Sequence, residues 1–283
     1  MEIKKVGVVG CGLMGSGIAQ VCAQAGYPTV VSEINDALLN KGLDSIKSNL
    51  EKTVAKGKMS EGDKDAILGR LKGTTNMDDF KDCDFVIEAA FERMEIKEKT
   101  FASLDNICPK HAILATNTST MSVIHIAAAT KRMPQVVGTH FFNPVPVMRL
   151  VEVVRTVVSS DESVDTAKKF GESLGKTVIL AKDTPGFIVN RILIPFLFDA
   201  VRVYESGIAS KEDIDNGMVL GCNHPIGPLA LIDLAGLDVG VDVGNSMYEE
   251  FKEARFAPPT LLRKMVAAGH LGRKSGKGFY DYK

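Results

Sequence analysis

In the first half of the chain, apolar positions fall in short unbroken runs. Each run is followed by a longer stretch with helical spacing. Val6-Gly7-Val8-Val9, Thr29-Val30-Val31, Phe85-Val86-Ile87, Ala112-Ile113-Leu114 and Val136-Val137 read as strands buried on both faces. Between them, 13–25, 35–56 and 94–104 read as helices. In the second of these, Ala37, Leu38, Ile46, Leu50 and Val54 supply an apolar side and charges fill the other. Such alternation predicts a mainly parallel sheet covered by helices on both faces. The rhythm then changes. Leu150 to Val154 reads as a strand, 164–174 as a helix and Thr177 to Leu180 as a last strand. Beyond Asp183-Thr184-Pro185-Gly186 no strand pattern remains. The stretches 187–204, 211–220, 228–251 and 259–268 read as helices separated by Gly and Pro. The expectation is an α/β domain over 1–185 and an all-α domain over 186–283.

Composition narrows the functional classes. At roughly 150 residues per domain, 283 residues make about two domains. Lys plus Arg is 34 and Asp plus Glu 35, so there is no global charge to attract nucleic acid or an anionic membrane. Trp is absent, which removes the best base-stacking side chain. The five cysteines contain no C-x-x-C pair, so no metal site is expected and the thiols read as small core fillers in a reducing compartment. The most apolar long segment, 186–201, is interrupted by Asn190, Arg191, Pro195 and Asp199, which argues against a membrane span. Met1-Glu2-Ile3-Lys4-Lys5 leads straight into a strand rather than a secretory leader. A cytoplasmic protein is expected, or an organellar one that has lost its leader.

The chemistry begins at Gly10-Cys11-Gly12-Leu13-Met14-Gly15, a G-x-G-x-x-G string that follows a strand and opens a helix. Gly10 permits the tight turn, Gly12 lets a pyrophosphate approach the backbone, and Gly15 lets helix and strand pack closely. The helix N-terminus then offers free N–H groups and a positive dipole end to the anion. Glu33 closes the second strand, 23 residues beyond Gly10. A carboxylate there accepts from a ribose hydroxyl and repels a 2′-phosphate, which favours NAD over NADP; FAD is the rival dinucleotide. The first domain is therefore expected to be of Rossmann type.

His140 stands at the end of the strand after Gln135, and Glu152 follows twelve residues later in the next strand. Pro144-Val145-Pro146 could return the chain alongside itself. A carboxylate-held His is a suitable base for a hydroxyl proton. Spacing alone equally admits a core His and an unrelated Glu. Asn117-Thr118-Ser119-Thr120 follows another buried strand. Its small polar groups could bind a substrate oxygen, and Ser119 or Thr120 could instead cap the next helix, the reading favoured by spacing.

Taken together, these segments resemble the L-3-hydroxyacyl-CoA dehydrogenases. The resemblance rests on 10–15, Glu92 with Lys97, Asn117-Thr118-Ser119, the run His140-Phe141-Phe142-Asn143-Pro144-Val145-Pro146-Val147-Met148, Glu152, and the run Asp183-Thr184-Pro185-Gly186-Phe187-Ile188-Val189-Asn190-Arg191. It covers essentially the whole chain, and the short single-function bacterial form is the most similar. The resemblance implies an NAD-dependent oxidoreductase that interconverts (S)-3-hydroxyacyl-CoA, of which 3-hydroxybutyryl-CoA is the expected case, and 3-oxoacyl-CoA. It implies that His140 is the catalytic base oriented by Glu152, and that Ser119 and Asn190 meet the substrate's 3-oxygen or thioester. It also implies cofactor contacts from Gly10, Gly12, Leu13, Met14, Gly15, Glu33, Glu92, Lys97, Asn117, Ser119 and Asn143. Of these, Asn143 would lie near the nicotinamide, and Glu92 and Lys97 near its ribose and the interdomain cleft.

Two further expectations depend on the resemblance. Lys52 and Lys56, four apart on one helix, read by themselves as a solvated face; the family implies that they meet coenzyme A phosphates. The helical domain carries Phe196-Leu197-Phe198 in sequence, more apolar surface than one face can cover. That surface and the family together point to a homodimer, or a multiple of one, formed through the C-terminal domain. A free-acid dehydrogenase of similar architecture is the rival enzyme, although the catalytic Lys of that class is missing near Asn190.

Overall fold

The computed structural model describes residues 1–282. Contacts divide the chain into one unit over Met1–Asp183 and a second that begins at Thr184.

The first unit contains β1 (Val6–Val9), α1 (Leu13–Gln24), β2 (Thr29–Ser32), α2 (Asp36–Ala55), α3 (Glu61–Gly69), β3 (Leu71–Thr74), β4 (Phe85–Glu88) and α4 (Met94–Ile107). It continues with β5 (Ile113–Thr116), α5 (Val123–Ala127), β6 (Val136–Phe141), β7 (Leu150–Arg155), α6 (Asp161–Ser173) and β8 (Thr177–Lys182). The eight strands form one sheet in the order β3-β2-β1-β4-β5-β6-β7-β8. Pairing is parallel from β3 to β6, antiparallel between β6 and β7, and parallel again between β7 and β8. This is the mainly parallel Rossmann-type sheet that the alternation predicts.

Burial explains the strand choice. β1, β2, β4 and β5 are buried at every position, as a sheet covered on both faces requires. Ile18 and Cys22 of α1, Leu39, Ile46 and Leu50 of α2, and Phe170 of α6 join strand side chains in one core. From β1 the chain builds outward through β2 to β3, then returns to place β4 on the other side of β1. That reversal opens a crevice at the carboxyl ends of β1 and β4, where dinucleotides bind in such sheets.

β3 and α3 are absent from the sequence-based reading. β3 is an edge strand, Leu71-Lys72-Gly73-Thr74, with no apolar run to announce it. A Cβ on Gly73 would lie 2.9 Å from Leu43 of α2, so packing rather than propensity selects the glycine.

The second unit contains α7 (Val189–Glu205), α8 (Lys211–Cys222), α9 (Pro228–Ala235), α10 (Leu237–Phe251) and α11 (Thr260–Ala267). Leu197, Phe198, Leu229, Ile232, Met247 and Phe256 form its core. The single helix expected over 228–251 is two helices. They part at Gly236, whose φ of +104° ends one helix and turns the chain into the next. Among the described residues no helix is long and apolar enough to cross a membrane, and no cluster of His, Cys, Asp and Glu could hold a metal.

Candidate active site

The glycine turn sits at the carboxyl end of β1. Gly10 has φ +93°, and a Cβ there would lie 2.7 Å from the Ala89 carbonyl oxygen after β4. At Gly15 a Cβ would lie 1.9 Å from the Gly10 carbonyl oxygen. Both glycines are therefore demanded by backbone packing. Gly12 is different: it is exposed, and a Cβ there would meet nothing within 4 Å. That open space lies at the N-cap of α1, whose first turn has no acidic side chain to oppose an anion. Met14 packs against the core, while Leu13, Ile34 and Phe91 expose large apolar side chains beside the ends of β1, β2 and β4.

Glu33 follows β2. One carboxylate oxygen accepts from the Cys11 N–H at 3.0 Å and the other from the Ile34 N–H at 2.8 Å. The half-buried carboxylate is thereby fixed on the glycine turn with lone pairs left for a hydroxyl. Burial, and then the Glu33 charge, push the Cys11 thiol up to about 11, so it stays neutral beside the turn. An open anion cradle, a fixed carboxylate and an apolar rim fit the pyrophosphate, ribose and adenine of NAD.

At the ends of β4 and β5 lies a charged network that sequence reasoning finds only in part. Glu88, the last residue of β4, is fully buried. It accepts from Lys97 Nζ at 2.9 and 3.0 Å, from Thr116 Oγ1 at 2.7 Å and from the Ala90 N–H at 2.8 Å. The Lys97 ammonium, itself buried, also pairs with Glu92 at 3.0 Å. Glu92 in turn accepts from the Ser119 N–H at 3.1 Å and from the Thr118 hydroxyl. Lys97 is thus held between two carboxylates rather than presented to solvent. Glu88 is the residue that the sequence reading omits. Its signal was a charge closing an otherwise apolar buried strand, which must find a partner.

His140 and Glu152 meet across the antiparallel β6–β7 pair, directly opposite in register. His140 Nδ1 lies 2.6 Å from Glu152 Oε2, and both residues are buried. An ionised carboxylate only accepts, so Nδ1 carries the proton, and in the neutral imidazole the lone pair then belongs to Nε2. The Phe142 ring packs 4.5 Å from the imidazole. Asn117 Oδ1 accepts from the Phe141 N–H at 2.9 Å, tying the end of β5 to the strand that carries His140.

Capping of α5 overturns the reading that spacing favours for Ser119 or Thr120. The N-cap residue is Ser122, and it makes no capping bond of its own. Asp183 supplies the cap from far along the chain, accepting from the N–H groups of Val123 at 2.9 Å and Ile124 at 2.7 Å. The Ser119 hydroxyl is left without a hydrogen bond among the described residues.

Four candidates stand on other segments of the chain. Lys52 is exposed in the last turn of α2 and Lys56 caps that helix, which stops at Ala55. A helix of 20 residues spans about 30 Å, so both lysines stand at the end of α2 away from Glu33. Asn143 is exposed on the loop after β6, and Asn190 lies in the first turn of α7 in the second unit.

Comparison with known proteins adds an independent line. A family model described as 3-hydroxyacyl-CoA dehydrogenase, NAD binding domain, matches residues 5–184, and one described as 3-hydroxyacyl-CoA dehydrogenase, C-terminal domain, matches residues 186–282. The chain is 47% identical over 282 residues to a 3-hydroxybutyryl-CoA dehydrogenase of Mycobacterium tuberculosis, covering 99% of each. It is also 47% identical over 278 residues to a 3-hydroxybutyryl-CoA dehydrogenase of Clostridioides difficile, covering 98% of this chain and 99% of that one. The crystal structure of (S)-3-hydroxybutyryl-CoA dehydrogenase from Ralstonia eutropha matches with a TM-score of 0.96 at 47% identity, covering 100% of both chains.

Proposed function

The chain belongs to the 3-hydroxyacyl-CoA dehydrogenase family of NAD-dependent enzymes, and from that premise we propose that it interconverts (S)-3-hydroxybutyryl-CoA and acetoacetyl-CoA. The observation that carries the reading is the buried His140–Glu152 pair, 2.6 Å apart. Bound NAD supplies the acceptor for the hydride from C3. His140 Nε2 takes the 3-hydroxyl proton in oxidation, and the imidazolium returns it in reduction. Glu152 holds the tautomer and stabilises the imidazolium. The Ser119 hydroxyl and the Asn190 amide bind the 3-oxygen or thioester. Glu92, Lys97, Asn117 and Asn143 shape the nicotinamide half of the cofactor site, and Gly10 to Gly15 with Glu33 hold the rest. Lys52 and Lys56 take the coenzyme A phosphates, where compact ammonium groups suit a mobile polyanion.

We also place the enzyme in the cytoplasm as a homodimer or a multiple of one. The cysteines are free, in keeping with a reducing compartment. The helical unit leaves Ile192, Leu220, Leu234 and Val239 exposed, apolar surface that a second copy would cover. The deciding experiment is spectrophotometric: purified protein should consume NADH when acetoacetyl-CoA is added. No consumption with acetoacetyl-CoA, together with turnover of a free 3-hydroxy acid, would replace this reading by the free-acid one.

A further inference from the structure

The loop over 142–149 joins β6, which carries His140, to β7, which carries Glu152. Its first residue, Phe142, packs on the imidazole, so the loop borders the place where the proton moves. Its own contacts anchor it weakly. Val147 and Met148 are exposed, and their N–H groups both donate to the Pro144 carbonyl at 2.9 Å, a purely local turn. At its end the Arg149 carbonyl accepts from the Thr177 N–H of β8 at 2.7 Å, and two further anchors hold the tip. Val145 is buried against α1, where a Cβ on Gly17 would lie 2.9 Å from it. The second is Lys176, in the turn between α6 and β8. Its Nζ donates to the Val145 carbonyl at 2.6 Å and to the Met148 carbonyl at 2.8 Å.

Among the described residues no carboxylate compensates that ammonium, and burial holds its pKa below the ordinary lysine value. Partial desolvation of a cation without a counter-ion is unfavourable. Two charge-assisted bonds to main-chain carbonyls offset it, and both fasten the same loop.

We propose that Lys176 is a positioning residue for the reaction: its ammonium latches the 142–149 loop beside His140. The proposal rests on the reading of His140 as the proton carrier. It also specifies which half of the cofactor feels the latch. Glu33 follows β2 and His140 lies on β6, with β1, β4 and β5 between them. Through Phe142 the latch reaches the His140 end of the crevice, three strands away from the Glu33 end.

The test uses the full-length protein, with Lys176→Met, which keeps the side-chain length and removes the donors, and Lys176→Arg, which keeps a cation. Affinities for NADH and for ADP-ribose are measured by calorimetry, and amide hydrogen exchange is followed over 142–149. In Lys176→Met the Val147 and Met148 amides should exchange faster. NADH should bind about tenfold more weakly, the scale of a lost charge-assisted hydrogen bond, while ADP-ribose affinity stays within about twofold. Lys176→Arg should recover most of the NADH affinity. Unchanged exchange, unchanged NADH affinity, or an equal loss for NADH and ADP-ribose would overturn the latch. Neither measurement requires turnover, so a wild type inactive on acetoacetyl-CoA would sink the functional reading while the latch is still judged on its own result.

Discussion

Glu33 illustrates how much one side chain can decide. Backbone N–H groups fix both of its oxygens at the mouth of the glycine turn, and in the proposed cofactor site its charge would oppose a 2′-phosphate. NADH should therefore be preferred over NADPH, and Glu33→Ala should narrow the preference, as kcat/KM for the two cofactors will show. Equal use of both by the wild type would remove this role. For the buried pair, His140→Ala should lower kcat by about 10²–10⁴-fold, the usual worth of a general base, with little change in NADH affinity. Glu152→Gln should cost less, because the imidazole remains but loses its carboxylate. Near-normal turnover in His140→Ala would discard the assignment. Glu88 makes a different kind of prediction. Its carboxylate faces the buried Lys97 ammonium, and breaking such a pair from one side costs up to about 3–5 kcal/mol, reduced here because Glu92 still faces Lys97. Glu88→Gln should lose at least about 1–3 kcal/mol in urea unfolding, and adding Lys97→Met should restore much of it. A Glu88→Gln protein as stable as the wild type would refute the account.

At the scale of elements, helix starts are the lesson. The Ser60, Ser160 and Ser210 side chains cap their own helices, each visible as a serine three residues before an Asp or Ser whose N–H it accepts. α5 and α9 have no capping side chain at the N-cap position. For α9 the carboxylate of Asp215, on α8, accepts from the Leu229 N–H at 2.8 Å and the Ala230 N–H at 2.9 Å. It lies so close that a Cβ on Gly227 would fall 2.2 Å from its Cγ. Asp215→Ala should destabilise the protein by at least about 1–2 kcal/mol, the range of a lost cap, measured as a fall in the denaturant midpoint; no shift would mean that the cap is dispensable. Such caps escape a linear reading because donor and acceptor come from different elements. The α9–α10 break escaped for a related reason: helical spacing continues on both sides of Gly236, and only the backbone conformation there, with φ of +104°, interrupts the helix.

For the whole molecule, charge and assembly carry the predictions. Lys52→Ala with Lys56→Ala should raise KM for acetoacetyl-CoA, leave KM for NADH nearly unchanged, and reduce the salt dependence of the former, since exposed charges are screened over about 8 Å at physiological ionic strength. An unaltered acyl-CoA KM would return both lysines to an ordinary solvated helix end. Light scattering during size-exclusion chromatography should give a dimer or a multiple of it; a strict 30.5 kDa monomer would sink the assembly proposal. By itself the sequence determined the alternating sheet, the helical second half, the glycine turn with its acid, and the pairing of His140 with Glu152 as one of two readings. Those features follow from local periodicity, from residues with restricted backbone roles, and from chemistry confined to short runs. Only the tertiary structure decided that His140 and Glu152 face each other across β6 and β7. It alone joined Glu88 to Lys97 and Glu92, took Asp183 to α5, and brought Lys176 to the 142–149 loop. These contacts follow from strand order and register, which bring together side chains distant in sequence, and no periodicity along the chain encodes that proximity.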